Sequence, residues 1–114
     1  MTKRFAMALG AGALAIVFAA AVEAADAKVE RGKAVYAEQK CKMCHSIADQ
    51  GNKKGALDGV GDKLKPEEIK EWIVTPKEAA AKHKATRKPP MKAYGTLPAE
   101  DVAALVAYVS SLKK

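Results

Sequence analysis

The chain has 114 residues, 49% of them hydrophobic, and a net charge of +7. This length allows one domain with a modest core, of the kind that usually needs a covalent or metal staple. The positive balance would suit a nucleic-acid-binding protein, but the first residues indicate export, which argues against that class.

Residues 1–25 have the layout of a secretory signal peptide. Lys3 and Arg4 form a short positive start, residues 5–22 carry no charge, and small residues allow cleavage near 24–27. The alternative is an uncleaved membrane anchor, since 18 uncharged residues approach the span of a bilayer. Because 10 of these 18 are the weakly apolar Ala or Gly, cleavage is favoured. The mature protein is then a single domain of residues 26–114.

A first helix is predicted over residues 27–40. Val29, Gly32 and Tyr36 lie on one stripe at i, i+3 and i+7. Glycine weakens a helix interior, so Gly32 is either merely tolerated or marks a close crossing with another helix.

The run Cys41–His45 is the feature around which the chain is organised. Two thiols three positions apart, with a histidine directly after the second, are the attachment signature of c-type haem. Cys41 and Cys44 lie one helical turn apart, so both sulfurs can form thioethers with the vinyl groups on one porphyrin edge. His45 can then bind the iron axially. The motif predicts one covalently bound haem c.

Three other uses of these cysteines fit less well. A thioredoxin-like site needs a βαβ pattern, and the sequence shows no alternation of strand and helix. A zinc site needs about four ligands, and adjacent Cys44 and His45 suit one tetrahedral ion poorly. A disulfide would leave His45 without a role.

Residues 46–64 have the composition of a loop, with four glycines. A backbone carbonyl in this loop is expected to accept the ring N–H of His45 and fix its tautomer.

Pro66 suits the first position of a short helix, whose Ile69, Trp72 and Ile73 form one apolar face. Trp72 is interpreted as a core residue or, through its indole N–H, as a partner of a haem propionate.

The run Thr75–Glu78 has the pattern of a capping box and is predicted to begin a helix from Pro76 to about His83. His83 lies in a lysine-rich stretch and is interpreted as a solvated surface histidine rather than an iron ligand.

Pro89 and Pro90 hold the chain extended directly before Met91. Outside the leader only Met43 and Met91 offer a thioether, and Met43 is confined between the two cysteines. Met91 is therefore predicted as the second axial ligand of the iron.

Pro98 is predicted to open the last helix, with acidic residues in its first turn, where the helix dipole favours them. Its apolar stripe consists of Val102, Leu105, Val106, Val109 and Leu112.

As a set, these features resemble class I c-type cytochromes, the small monohaem electron carriers, over residues 27–114. The resemblance rests on the pair Gly32 and Tyr36, the run Cys41–His45, the loop Leu57–Gly61, the pair Pro90-Met91, and Leu105 with Tyr108. It implies an all-α fold of about four helices around one covalent haem, with the first and last helices crossing at Gly32.

The resemblance further implies that His45 and Met91 complete the coordination of the iron. The candidate partners of the propionates or the pocket are Trp72, Tyr94 and Arg87. Family members often carry a Gly-Pro run after the motif, whose carbonyl receives the histidine N–H. Here the corresponding run is Gly55-Ala56-Leu57, so the identity of that carbonyl is open.

The implied function is one-electron transfer in the bacterial periplasm by a monomer that is not an enzyme. Two alternatives remain: an electron-entry subunit of a larger oxidoreductase, and a haem peroxidase or gas-binding protein with an open distal site. An uncleaved leader would instead anchor the protein in the membrane, facing the periplasm.

Residues 82–92, called here the basic segment, carry five positive charges and no acid. Residues 26–114 have a net charge of +6, so most of the excess lies in this segment. It also contains Met91 and so is expected to pass close to the haem. The segment is therefore predicted to dock an acidic redox partner. The docking residues are Lys82, Lys84, Arg87, Lys88 and Lys92.

Overall fold

The structure is a computed structural model that describes residues 2–114, with side chains from residue 20 onward. The charged start of the leader and most of its apolar stretch lie outside the residues whose side chains are described. Within the described residues, no helix combines the length and the apolarity needed to cross a bilayer.

The predicted all-α architecture is confirmed. Its helices are α1 (Thr2–Glu38), α2 (Val60–Lys63), α3 (Pro66–Val74), α4 (Pro76–Lys82) and α5 (Ala99–Ser110). Residues 46–64 were predicted as loop, but they hold a small antiparallel hairpin of β1 (Ser46–Ile47) and β2 (Gln50–Gly51) and, at their end, the short helix α2. The sequence predicted about four helices, and α2 is the one that it did not predict. It is only one turn long.

Helix α1 begins before the predicted residue 27 and ends two residues before the predicted residue 40. The earlier start follows from the alanine-rich sequence, because alanine has the highest helix propensity. The end is set by Lys40, whose φ of 57° is left-handed and cannot continue a helix.

Helices α1 and α5 cross in close contact, as predicted. A Cβ added to Gly32 would collide with the carbonyl oxygen of Ala104 and the Cβ of Tyr108. Next to this crossing, the rings of Tyr36 and Tyr108 meet edge to face with centroids 5.9 Å apart. Gly32 is thus the contact point of two backbones, and not a merely tolerated residue.

The core lies where α3 packs against the crossed pair. Its buried members are aliphatic: Val35, Ile69, Ile73, Val102, Leu105 and Val109. Val35 is fully buried, although the predicted stripe of the first helix did not include it. Half-buried apolar side chains surround this cluster, and Met91, Tyr94 and Leu64 are among them.

The predicted capping box at the start of α4 is wrong. The hydroxyl of Thr75 donates to the carbonyl of Glu71, 3.2 Å away, and makes no cap to α4. The reason is that α3 ends and α4 begins at the same residue, so both the backbone N–H and the hydroxyl of Thr75 donate back to the Glu71 carbonyl of α3. At the start of α3, the Glu68 carboxylate accepts from the backbone N–H of Lys65 at 3.0 Å.

Candidate functional site

The run Cys41–His45 forms a tight helical turn directly after α1. Residues Cys41–Met43 form one turn of 3₁₀ helix, and the backbone N–H groups of Cys44 and His45 donate to the carbonyl of Cys41 at 3.1 and 2.9 Å. The two cysteines form no disulfide with each other; Cys44 is exposed and Cys41 is partly buried. Burial raises the pKa of the Cys41 thiol. The two thiols are therefore one turn apart, as the spacing predicts.

His45 is held by one hydrogen bond in a defined orientation. Its Nδ1 lies 2.9 Å from the carbonyl oxygen of Gly55, which can only accept, so Nδ1 carries the proton. Burial lowers the pKa of His45, and the nearby Arg87 guanidinium lowers it further. The ring is then neutral with an unprotonated Nε2, which is the form of histidine that binds metals.

Gly55 thus supplies the carbonyl that the sequence left open. A Cβ at this position would collide with the carbonyl oxygen of Cys44 and with Nη1 of Arg87, and would lie 3.0 Å from Nδ1 of His45. Arg87 belongs to the basic segment, so the fold brings that segment onto the side of the motif where His45 is held.

Asn52 holds the motif turn together through several hydrogen bonds. The sequence predicts it only as part of the loop of residues 46–64. Its backbone N–H donates to the carbonyls of Lys42 and His45 at 3.0 and 2.9 Å. Its side-chain Nδ2 donates to the carbonyl of Met43 at 3.2 Å, and its Oδ1 accepts from the N–H of Lys54 at 3.1 Å. An asparagine among glycines is ordinary loop composition, so the sequence held no signal for this role.

Two tyrosines lie close to the thiols. Burial raises the pKa of Tyr94, and the electrostatic influence of Cys41 and Cys44 adds to that rise. Burial also raises the pKa of Tyr36 to about 12, with Cys41 as the next cause. Tyr94 is anchored by a backbone hydrogen bond to the carbonyl of Ile73, 2.9 Å long. The predicted pocket residue Tyr94 is therefore held next to α3, within electrostatic reach of a motif about fifty residues away in sequence.

Met91 lies three residues before Tyr94, half-buried against the edge of the core. Met43, by contrast, is 69% exposed on the motif turn. Of the two candidate thioethers outside the leader, Met91 is the one that faces the interior.

Trp72 and His83 meet at the end of α4. Their rings stack with centroids 5.6 Å apart and an interplanar angle of 26°. His83 is exposed, in agreement with its interpretation as a surface residue, and Trp72 is half-buried. Beside them Lys82 pairs with the Glu71 carboxylate at 3.0 Å, so one charge of the basic segment is neutralised from α3.

An open cleft of about 700 Å³ joins the motif turn to the basic segment. It is lined by Met43, Cys44, Asn52, Lys54, Thr86, Arg87, Lys88 and Pro89. Lys54 comes from the loop after the hairpin and was not among the predicted docking residues. Three cations from two separate segments therefore surround the exposed thiol of Cys44.

A comparison with known families identifies one match. The family model for cytochrome c matches residues 29–113, which is most of the chain and includes the motif, the basic segment and α5. No curated protein and no solved structure gives a significant match.

Proposed function

The chain belongs to the cytochrome c family and carries covalently bound haem c, and from this premise we propose that it is an exported one-electron carrier with His45 and Met91 as iron ligands. The observation that carries the proposal is the turn Cys41–His45, because it presents two cysteine side chains one turn apart and a neutral histidine held by Gly55. When bound, the haem supplies reversible one-electron exchange between ferrous and ferric iron.

Cys41 and Cys44 would hold the group through two thioether bonds. Cys41 sits at the buried side of the turn near Tyr36 and Tyr94, and Cys44 sits at the exposed side in the basic cleft. The half-buried apolar side chains beside the core suit an apolar macrocycle, which would add the core volume that a chain of this size lacks. Tyr94 and Trp72 would line this pocket, with the indole N–H of Trp72 directed to a propionate.

His45 and Met91 would fill both axial positions. The Gly55 carbonyl fixes the histidine tautomer and increases its basicity, as such partners do for metal-bound histidines. Met91 is half-buried at the core, and a methionine opposite a histidine raises the reduction potential. With both positions filled by side chains, the protein leaves no position for a substrate, which favours a carrier over a peroxidase or a gas-binding protein.

The basic segment, extended by Lys54, would dock an acidic redox partner. Lys84, Arg87, Lys88 and Lys92 form no ion pair among the described residues, whereas Lys82 is paired with Glu71. Positive charge around the exposed Cys44 would attract an acidic surface and raise the encounter rate. The leader supports a periplasmic site of action, with cleavage near residues 24–27 and a monomeric mature domain of residues 26–114.

The first experiment tests the cofactor and its ligands. Absorbance spectra of the purified protein are recorded oxidised and reduced, with and without CO, and a denaturing gel is stained for haem. Haem that stays with the polypeptide, together with a reduced protein that does not bind CO, supports the proposal. Haem extracted by acid and organic solvent would contradict covalent attachment, and rapid CO binding by the wild type would favour the open-site alternative.

The axial methionine is tested by Met91→Ala, with Met43→Ala as the matched control. Loss of Met91 should abolish the near-infrared sulfur–iron band of the ferric protein, lower the reduction potential and allow CO to bind. Met43→Ala should retain the band, because Met43 is exposed on the motif turn. A wild-type protein without the band would contradict Met91 as ligand.

The docking surface is tested by electron-transfer rates to an acidic partner as a function of ionic strength. The wild-type rate should fall with salt, and Lys84→Glu, Lys88→Glu and Lys54→Glu should each show a lower rate and a smaller salt slope. Lys70→Glu, an exposed position on α3 outside this surface, is the control with the same charge change. Equal slopes in all variants would contradict the surface. Co-purification with a catalytic subunit would favour the electron-entry alternative.

A further inference from the structure

Arg87 is placed differently from the other cations of the basic segment. Its side chain is exposed as a whole, but Nη1 reaches the backbone at Gly55, where a Cβ would overlap it. The same missing Cβ would lie 3.0 Å from Nδ1 of His45. The guanidinium and the histidine hydrogen bond therefore meet at one glycine, although Arg87 and Gly55 are far apart in sequence.

A cation at this place acts on His45 and on the iron that His45 would bind. Both effects change the reduction potential in the same direction. The Gly55 carbonyl strengthens the imidazole as a ligand by accepting its N–H, and a guanidinium on the α-carbon side of the same glycine, close to the ring, opposes that electron donation. The positive charge also opposes the additional positive charge of ferric iron. Each effect stabilises the ferrous state relative to the ferric state.

We propose that Arg87 is a positioning residue that raises the reduction potential by weakening the electron donation of His45 from its place at Gly55, next to the ring. This rests on the proposed role of His45 as an iron ligand and goes beyond the docking role. Arginine suits the task because its charge is permanent. The direction in which the nearby guanidinium moves the pKa of His45 agrees with this placement.

The experiment measures the midpoint potential of the holoprotein for wild type, Arg87→Gln, Arg87→Lys and Lys53→Gln. Lys53 is exposed in the 3₁₀ turn Lys53–Gly55. Lys53→Gln therefore makes the same change of charge nearby without removing the contact of Arg87 with Gly55. Arg87→Gln should shift the ferrous–ferric equilibrium toward ferric by about threefold or more, which is about 28 mV at 59 mV per tenfold for one electron. Lys53→Gln should shift it less, and Arg87→Lys should restore part of the loss.

The difference between Arg87→Gln and Lys53→Gln should persist at about 1 M salt, where screening acts over roughly 3 Å and suppresses the influence of distant surface charges. A second readout is the proton resonance of the His45 Nδ1–H in the ferrous protein. It should move in Arg87→Gln and stay in place in Lys53→Gln, because only Arg87 lies at the glycine that holds the ring.

Equal potentials in Arg87→Gln and Lys53→Gln at both salt concentrations, with an unchanged Nδ1–H resonance, would overturn the inference and leave the proposed function intact. A wild-type protein whose haem is extractable, or whose spectrum excludes histidine ligation, would instead overturn the proposed function itself. If Arg87→Gln gives no holoprotein, Arg87→Lys takes its place. A potential and an Nδ1–H resonance equal to those of wild type would then overturn the inference.

Discussion

Replacing Gly32 by alanine should force α1 and α5 apart. The new Cβ would lie 2.5 Å from the Cβ of Tyr108 and 2.8 Å from the carbonyl carbon of Ala104, and would overlap the Ala104 oxygen. Carbon atoms in contact prefer roughly 3.5–4.0 Å, so the helices must separate by about 1 Å. A backbone carbonyl cannot turn aside as a flexible side chain can, because it is part of the α5 hydrogen-bond ladder.

The magnitude follows from two opposing contributions. Overpacking of a close contact costs about 3 kcal/mol at its upper end, which suits a collision with backbone. Alanine is about 1 kcal/mol more favourable than glycine in a helix interior, which offsets part of this cost. The expected net loss is about 2 kcal/mol in the free energy of unfolding, a large share of the roughly 5–15 kcal/mol typical of a domain.

Urea denaturation of the purified holoprotein, followed by far-ultraviolet circular dichroism, measures this loss. Ala37→Gly, at an exposed position of α1, is the control, and it should lose no more than about 1 kcal/mol because it changes only helix propensity. A Gly32→Ala protein as stable as wild type, or more stable, would show that the two helices do not meet at this glycine.

Three further predictions concern single side chains. Asn52→Ala should lower the free energy of unfolding by about 1–2 kcal/mol and reduce the yield of holoprotein, since it removes the bond to the Met43 carbonyl; an unchanged yield would contradict its role in the turn. Burial raises the pKa of Tyr36 to about 12, above the ordinary value of about 10. The free energy of unfolding should therefore decline between pH 10 and 12, because the unfolded state loses this proton more readily than the folded state. Urea titrations of Tyr36→Phe should show a flatter decline. The Arg31 hydrogen bond lowers the pKa of Asp101 from its ordinary value of 3.8, so Asp101→Asn should be less stable than wild type near neutral pH. This difference in the free energy of unfolding should shrink as the pH falls below 3.8. A difference independent of pH would contradict the role of this hydrogen bond.

Much of the architecture was predictable because it depends on local periodicity. Helices α3 and α5 begin at or directly after Pro66 and Pro98, where proline and the acidic first turns place a helix start. Their buried residues lie on the predicted stripes, except Ala104, which meets Gly32 at the crossing. The boundaries of α1 and the capping of α4 were mispredicted. The alanine-rich leader extended the start of α1, the left-handed Lys40 set its end, and the Glu71 carbonyl of α3 engaged the Thr75 hydroxyl.

By itself, the sequence determined the chemistry of the site, because the spacing of Cys41, Cys44 and His45 is local and survives in any fold that forms one helical turn. It left Gly32 as either a tolerated residue or the site of a close crossing, and the structure decided for the crossing. Only the tertiary structure decided that Gly55 holds His45, that Asn52 ties the motif turn together, and that Arg87 packs against Gly55. These are contacts between loop residues whose backbone path is set by packing and not by propensity, so no periodic pattern in the sequence records them.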